Sequence, residues 1–155
     1  MEYPSKKNNY LTEHAALIRH SYQHWLLTEL ISESTSELDF AKRLFEADFA
    51  VVTHNTKDEP IFNYANKKAL ELFEFNWQDF TCLPSKNSAE PVNQGERERL
   101  LAVVTKNGYI DHYEGIRLSS TGKRFVIKNA IVWNLINKHQ VYQGQAACFN
   151  QWLFL

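Results

Sequence analysis

Residues Phe62–Phe73 read FNYANKKALELF, and the grammar of this stretch changes halfway along it. Ile61 to Tyr64 reads as a short strand. Asn66 then stands where a helix N-cap belongs, because its side-chain oxygen can accept a free backbone N–H. Ala69, Leu70, Leu72 and Phe73 give the following helix one apolar face. Upstream, Phe49–Thr53 (FAVVT) is a β-branched run that reads as a buried strand. His54–Pro60 (HNTKDEP) is turn chemistry throughout. The two runs therefore predict a hairpin leading into a helix.

Downstream, Trp77–Leu83 predicts one more helical turn, ended at Pro84. Pro84–Gly95 (PSKNSAEPVNQG) is rich in breakers and reads as a loop. Glu96–Lys106 predicts a helix with Leu100, Leu101, Val103 and Val104 as its apolar stripe, stopped by Gly108. Three strands should follow: Tyr109–Leu118, Arg124–Ile136 and Val141–Trp152. Ser119–Lys123 and Asn137–Gln140 are the turns between them, and Gly122 is available for positive φ. Two strands, several helices and three antiparallel strands make an α+β fold, a five-stranded antiparallel sheet with small helices on one face.

The N-terminal part is helical. Leu11, Ala15, Ile18, Tyr22 and Trp25 recur at helical spacing, so a helix is predicted from Leu11 to Ile31. Leu17, Leu26, Leu27 and Leu30 widen its apolar stripe. Ser34 with Glu37 has the spacing of a capping box and predicts a second helix, Thr35–Phe45, burying Leu38, Ala41, Leu44 and Phe45. The strand Arg124–Ile136 has no plainly wet face, whereas an antiparallel strand with one wet face alternates. Both its faces are expected to be covered in part, with the long N-terminal helix as the second cover.

Composition excludes several classes. The chain has 155 residues, 44% apolar and 23% charged, and about 70% of the unfolded surface is buried at this length, so no staple is required. Seventeen basic and eighteen acidic residues give a net charge of -1, which argues against a nucleic-acid or membrane binder acting through bulk charge. No stretch approaches the ~20 apolar residues of a membrane helix, and no apolar segment follows the N-terminal residues as a signal peptide requires. Cys82 and Cys148 are isolated, so reduced thiols and a cytoplasmic location are expected.

The hairpin followed by FNYANKKALELF resembles the opening of a PAS domain, in which an aromatic–x–Asn strand end leads into an A-L-x-L-F helix. His54–Pro91, Gly108–Phe125 (GYIDHYEGIRLSSTGKRF) and Ile131–Trp152 (IVWNLINKHQVYQGQAACFNQW) are similar to the MEKHLA domain. That PAS-like family occurs alone in bacteria and at the C-terminus of plant class III homeodomain–leucine zipper proteins. The likeness runs from His14 to Trp152, although the hexapeptide that names the family does not occur here. It implies a PAS-like fold and a sensory or regulatory role. On this reading residues 1–46 are an N-terminal helical extension and 47–155 the PAS-like domain.

PAS-like domains that bind ligands hold them between the sheet and the small helices, so polar side chains on apolar faces are the candidates there. Asn129 and Trp133 are expected on one face of their strand, with Asn129 either a core amide or a ligand-facing one. Asn63 either braces the hairpin or faces a ligand. Tyr113 and Arg117 fall on one side of the pleat and can clamp a planar or anionic group, unless Arg117 is in a cross-strand ion pair. Gln145 offers an amide from the last strand. Ala146 and Ala147 leave space beside it, for a ligand or for bulky Trp77 or Trp133. Asn129, Trp133 and Tyr113 are expected to look into one recess, and the sensor interpretation is staked on that.

Enzyme signatures are missing. His20 and His24 have i,i+4 spacing without HExxH around them, so no metal site is expected. The cysteine of light-sensing relatives sits in an Asn-Cys-Arg-Phe setting, whereas Cys82 sits in FTCLPS, so no flavin adduct is expected and the cofactor stays unassigned. The leading expectation is a sensory or regulatory module binding a small apolar or aromatic molecule or a partner protein. No output segment follows Trp152, so the expected output is a contact, with a homodimer or another protein. The helical stripe Leu11, Ala15, Ile18, Tyr22 and Trp25 is the expected interface, unless it covers its own sheet. A small α+β enzyme acting on an apolar metabolite and a ligand-free interaction module are the alternatives.

Overall fold

A computed structural model describes residues 1–155. Its helices are α1 (Thr12–Leu26), α2 (Glu37–Glu46), α3 (Lys67–Phe73), α4 (Trp77–Phe80) and α5 (Pro91–Asn107). Its strands are β1 (Ala50–His54), β2 (Phe62–Ala65), β3 (Tyr109–Leu118), β4 (Arg124–Ile136), β5 (Tyr142–Phe149) and β6 (Gln151–Phe154). The strands form one antiparallel sheet in the order β2-β1-β5-β4-β3, with β6 also on β4. Strand–hairpin–helix at the start and three strands at the end are as the sequence predicts. The last predicted strand is divided at Asn150. β5 pairs with Ile131–Ile136 of β4, and β6 pairs with Phe125–Lys128.

Local chemistry accounts for the helix starts. Asn66 accepts from the Ala69 N–H and Asn76 from the Asp79 N–H. Asn66 also accepts from Val51 N and donates to Leu44 and Phe49 carbonyls, which ties β1, α2 and α3 together. Ser36, rather than Ser34, caps α2, and Leu38 lies outward at 48% exposure while Ala41, Leu44 and Phe45 are buried. α5 begins at Pro91, inside the segment expected to be a loop. Proline at the first helical position loses no bond there. On its stripe, Val104 is buried but Val103 is exposed.

The N-terminal helix ends at Leu26, five residues before the predicted end, because Leu27 adopts φ 60°. It lies on the sheet of its own chain. Ala15, Ile18 and Tyr22 are buried, and the Tyr22 ring meets Trp133 edge-on at 5.0 Å. Ser21 Oγ donates to the Ile136 carbonyl and accepts from its N–H. Leu11 also packs against the common core. The stripe expected as a dimer or partner interface is thus covered in cis, since β4 presents an apolar outer face at Trp133 and Leu135 that needs a cover.

Two bulges set which side chains share a face. His112 in β3 and Asn129 in β4 both adopt left-handed φ, 54° and 51°. The β3–β4 register steps from Ile110↔Val132 to Tyr113↔Ala130 to Gly115↔Ile127. A bulge adds a residue to a strand, so alternation reverses across it. Ile127 and Val132 therefore face the same recess although one is odd and the other even, while Trp133 turns to α1.

Candidate functional site

Between the sheet and α5 lies a recess of about 50 Å3. Val52, Phe62, Phe73, Leu101, Ile127 and Val132 form its apolar wall, and its polar lining includes His54, Arg97, Tyr113, Arg117 and Gln145. Strand alternation delivers these groups from β1, β3 and β5, and α5 brings Arg97. A shallower groove of about 300 Å3 lies on the outside, lined by Arg97, Tyr113 and Arg117 together with Asn93, Glu96 and Glu114. The same three side chains therefore border both spaces.

Arg97 and Arg117 are 7% and 8% exposed. Neither is among the chain's salt bridges. Arg97 Nη2 donates to Ser85 Oγ at 2.8 Å. Arg117 donates to Tyr113 Oη at 2.9 Å and to the Ile116 carbonyl at 2.8 Å, and its guanidinium lies 5.6 Å from the Tyr113 ring centroid. Burial, followed by the charge of Arg117, holds Arg97 down at about 10. Glu98 opposes this shift only weakly and makes no salt bridge with Arg97, and burying a charge without a counter-charge in contact costs several kcal/mol, about the effective penalty per ion in proteins. Gly115 lies between Tyr113 and Arg117, and a Cβ there would come 2.5 Å from Tyr113 Oη and 2.9 Å from Arg117 Nη1. Its lack of a side chain lets the two meet.

An amide pair holds α5 to the sheet. Gln145 Nε2 lies 3.0 Å from the Leu101 carbonyl, 3.0 Å from Thr105 Oγ1 and 3.2 Å from Asn134 Oδ1. Asn134 Nδ2 donates to the Val104 and Thr105 carbonyls. This leaves Gln145 Oε1 facing His54 Nε2 at 3.2 Å, while His54 Nδ1 lies 2.9 Å from the Asn55 carbonyl. Burial pushes the His54 imidazole below its ordinary value, outweighing these acceptors, and the charge of Arg97 acts in the same direction.

Of the seven residues proposed from sequence, Tyr113, Arg117 and Gln145 border this recess; Asn63, Trp77, Asn129 and Trp133 do not. Asn129 is exposed at its bulge, near His112 and Gln151. Trp133 is fully buried on the opposite face. The expectation that Asn129, Trp133 and Tyr113 share one recess is corrected, because counting by twos fails across the bulges, and a sensor reading no longer rests on that trio but only on the groups that do line the recess. Asn63 accepts from Thr53 Oγ1, which also meets His14 Nε2, and so braces the hairpin beneath α1. Trp77 donates to the Met1 carbonyl and packs edge-on to Tyr3 and Tyr64. Arg97 and Asn134 were missed. Arg97 sits in the charged run ERER, and only Val104 two turns later marks the buried side of that helix.

The arrangement defines a class: a PAS-like domain with an antiparallel sheet, small helices and a recess between them. The PAS domain of a protein from Colwellia psychrerythraea superposes with a TM-score of 0.58 at 18% identity, over 70% of this chain and 89% of that one. A light-oxygen-voltage domain studied with a flavin analogue gives 0.60 at 11% identity, over 74% and 83%. At such identities the likeness is one of fold. The chain belongs to the MEKHLA domain family, whose model matches residues 12–154. Homeobox-leucine zipper protein HOX10 of Oryza sativa subsp. indica is 25% identical over 139 residues, 87% of this chain and 16% of the plant protein. Homeobox-leucine zipper protein ATHB-15 of Arabidopsis thaliana is 23% identical over 145 residues, 91% and 17%. The chain thus spans about a sixth of the length of these curated relatives.

Flavin chemistry does not fit this recess. Neither cysteine lines it: Cys82 is exposed after α4 and Cys148 is buried, beside Leu30 and Phe49. The interior space of about 50 Å3 is well below the ~300 Å3 at which ligand pockets begin, so a flavin ring system has no room, and a smaller molecule enters only as α5 moves off the sheet. No helix is long and apolar enough to cross a membrane.

Proposed function

We propose that this chain is a sensory or regulatory module. It takes a small, partly apolar or aromatic molecule into the recess under α5 and passes the occupancy to a partner through its N-terminal helices. Residues 1–46 act as the extension that carries the signal, and 47–155 as the PAS-like domain that receives it. One observation carries this reading: the recess is mechanically joined to α1. Gln145 borders the recess and bonds Asn134, and the Asn134 carbonyl accepts from Trp25 Nε1 at 2.9 Å. The Trp25 ring also packs onto Gly108 at the end of α5, where a Cβ would come within 2.5 Å of it. A shift of α5 on ligand entry therefore presses on α1. The output is a contact, with a second copy or another cytoplasmic protein.

The enzyme reading has less support. His54 is the titratable base in the recess, but both its ring nitrogens face acceptors, and the neighbouring arginines offer no proton acceptor. Native mass spectrometry and an absorption spectrum of the purified protein test the proposal. A co-purifying small molecule, with a change in the number of chains or in α1 protection on its removal, is expected. A chain that never carries or takes up a small molecule overturns it in favour of a ligand-free interaction module.

A further inference from the structure

We propose that the recess and its outer groove bind a small organic monocarboxylate, its anionic group held by Arg97 and Arg117 and its compact apolar or aromatic remainder against the Phe62–Phe73–Val132 wall. This rests on reading the recess as a ligand site and adds the chemical class of the ligand.

Buried charges in proteins are paired or coordinated. Arg97 and Arg117 are both buried and have no carboxylate within salt-bridge range. A guanidinium carries five N–H donors. Arg97 places one on a protein acceptor, Ser85 Oγ. A third donor lies in the same groove: Asn93 Nδ2 is buried with no hydrogen-bond partner. Two cationic forks and a free amide are donors in search of one acceptor group. A planar carboxylate matches a guanidinium two bonds at a time.

The surroundings select the rest of the molecule. The inner wall is mainly apolar and touches both arginines' side of the recess, so a ligand that is all charge leaves it uncontacted. Glu96 and Glu114 line the outer groove and are exposed, Glu114 lying 3.1 Å from Lys128. Their negative charge disfavours multiply charged anions. A single carboxylate on a compact apolar body satisfies both conditions, and Arg97, Tyr113 and Arg117 stand where it passes from groove to recess.

The test uses the 155-residue chain with three probes: benzoate, its neutral counterpart benzyl alcohol, and inorganic phosphate. Calorimetry and thermal shift should show benzoate binding at least about tenfold more tightly than benzyl alcohol. Arg97→Gln and Arg117→Gln should each weaken benzoate about tenfold or more, with benzyl alcohol unchanged. In case a variant does not fold, the wild-type arginine Nε–H resonances provide a second readout, and two of them should move on adding benzoate. Benzyl alcohol binding as tightly as benzoate overturns the carboxylate assignment and leaves the recess reading intact. Phosphate moving those resonances without benzoate doing so overturns it too. No response to any probe overturns the class, and the recess reading is then decided by native mass spectrometry, which does not depend on the probe chosen.

Discussion

Trp25 and Asn134 meet through the sheet. The indole N–H of Trp25 reaches the Asn134 carbonyl at 2.9 Å, while the Asn134 side chain holds the last turn of α5. One residue of β4 therefore bonds α1 with its main chain and α5 with its amide. The two helices that cover the sheet are coupled through it.

This predicts unequal consequences for two asparagines of β4. Asn134→Leu removes the bonds that its amide makes to the Val104 and Thr105 carbonyls and to Gln145, and puts an apolar group among buried polar ones, and should cost about 1–3 kcal/mol. Asn129→Gly removes an exposed amide from a residue at φ 51°, a backbone state glycine adopts freely, and should stay within about 0.5 kcal/mol. Urea denaturation of the two variants decides it. Equal losses would show that the Asn134 bonds between α5 and the sheet contribute no more than the exposed Asn129 amide, and would remove the coupling role given to Asn134.

Acid should weaken the fold through His14. Its Nε2 lies 2.9 Å from Thr53 Oγ1, and burial holds its imidazole at about 4, below the ordinary 6.5. As pH falls, the unfolded chain takes up this proton first, so the contribution is complete above pH 6.5 and is lost progressively toward pH 4. The slope is about 1.4 kcal/mol per pH unit, on the order of 3 kcal/mol in all. Burial also lowers His54, with the same sign. The pH dependence of the urea midpoint should be visibly shallower in His14→Gln; an unchanged slope would remove His14 from the account.

The two thiols should differ in reactivity. Cys82 is exposed. Cys148 is buried, and burial pushes its thiol up to about 12, so its thiolate is about one part in ten thousand near pH 8. A thiol reagent should modify one cysteine in the native chain and two in denaturant. Rapid modification of both in the native chain would mean that β5 opens far more readily than a core strand does.

Two glycines separate stability from the proposed site. Gly108 adopts φ 102° and seats the Trp25 ring, so Gly108→Ala combines backbone strain with a lost seat and should cost about 2–3 kcal/mol by thermal or urea unfolding. Gly115→Ala meets the ends of two side chains rather than backbone. It should cost about 1–2 kcal/mol and separate Tyr113 from Arg117, weakening benzoate about tenfold. If Gly115→Ala retains full benzoate affinity, the Tyr113–Arg117 contact does not shape the site.

The sequence by itself determined the elements and their order. FNYANKKALELF, the Asn66 cap, the breaker-rich turns and the two long strands are local signals, because strand period, capping and turn conformation are short-range physics. It also showed that β4 needs covers on both faces. What it read wrongly or missed depends on positions far apart in the chain. The partner of the Leu11–Trp25 stripe became known only once Trp133 and Tyr22 were brought together. The facing of Asn129 and Trp133 was decided by bulges at His112 and Asn129, which leave no mark in a count of alternating residues. Arg97 looks like its neighbours Glu96, Glu98 and Arg99 in a charged run. Only packing α5 over β3 buries it beside Arg117, and that juxtaposition of two unpaired cations is a property of the folded chain alone.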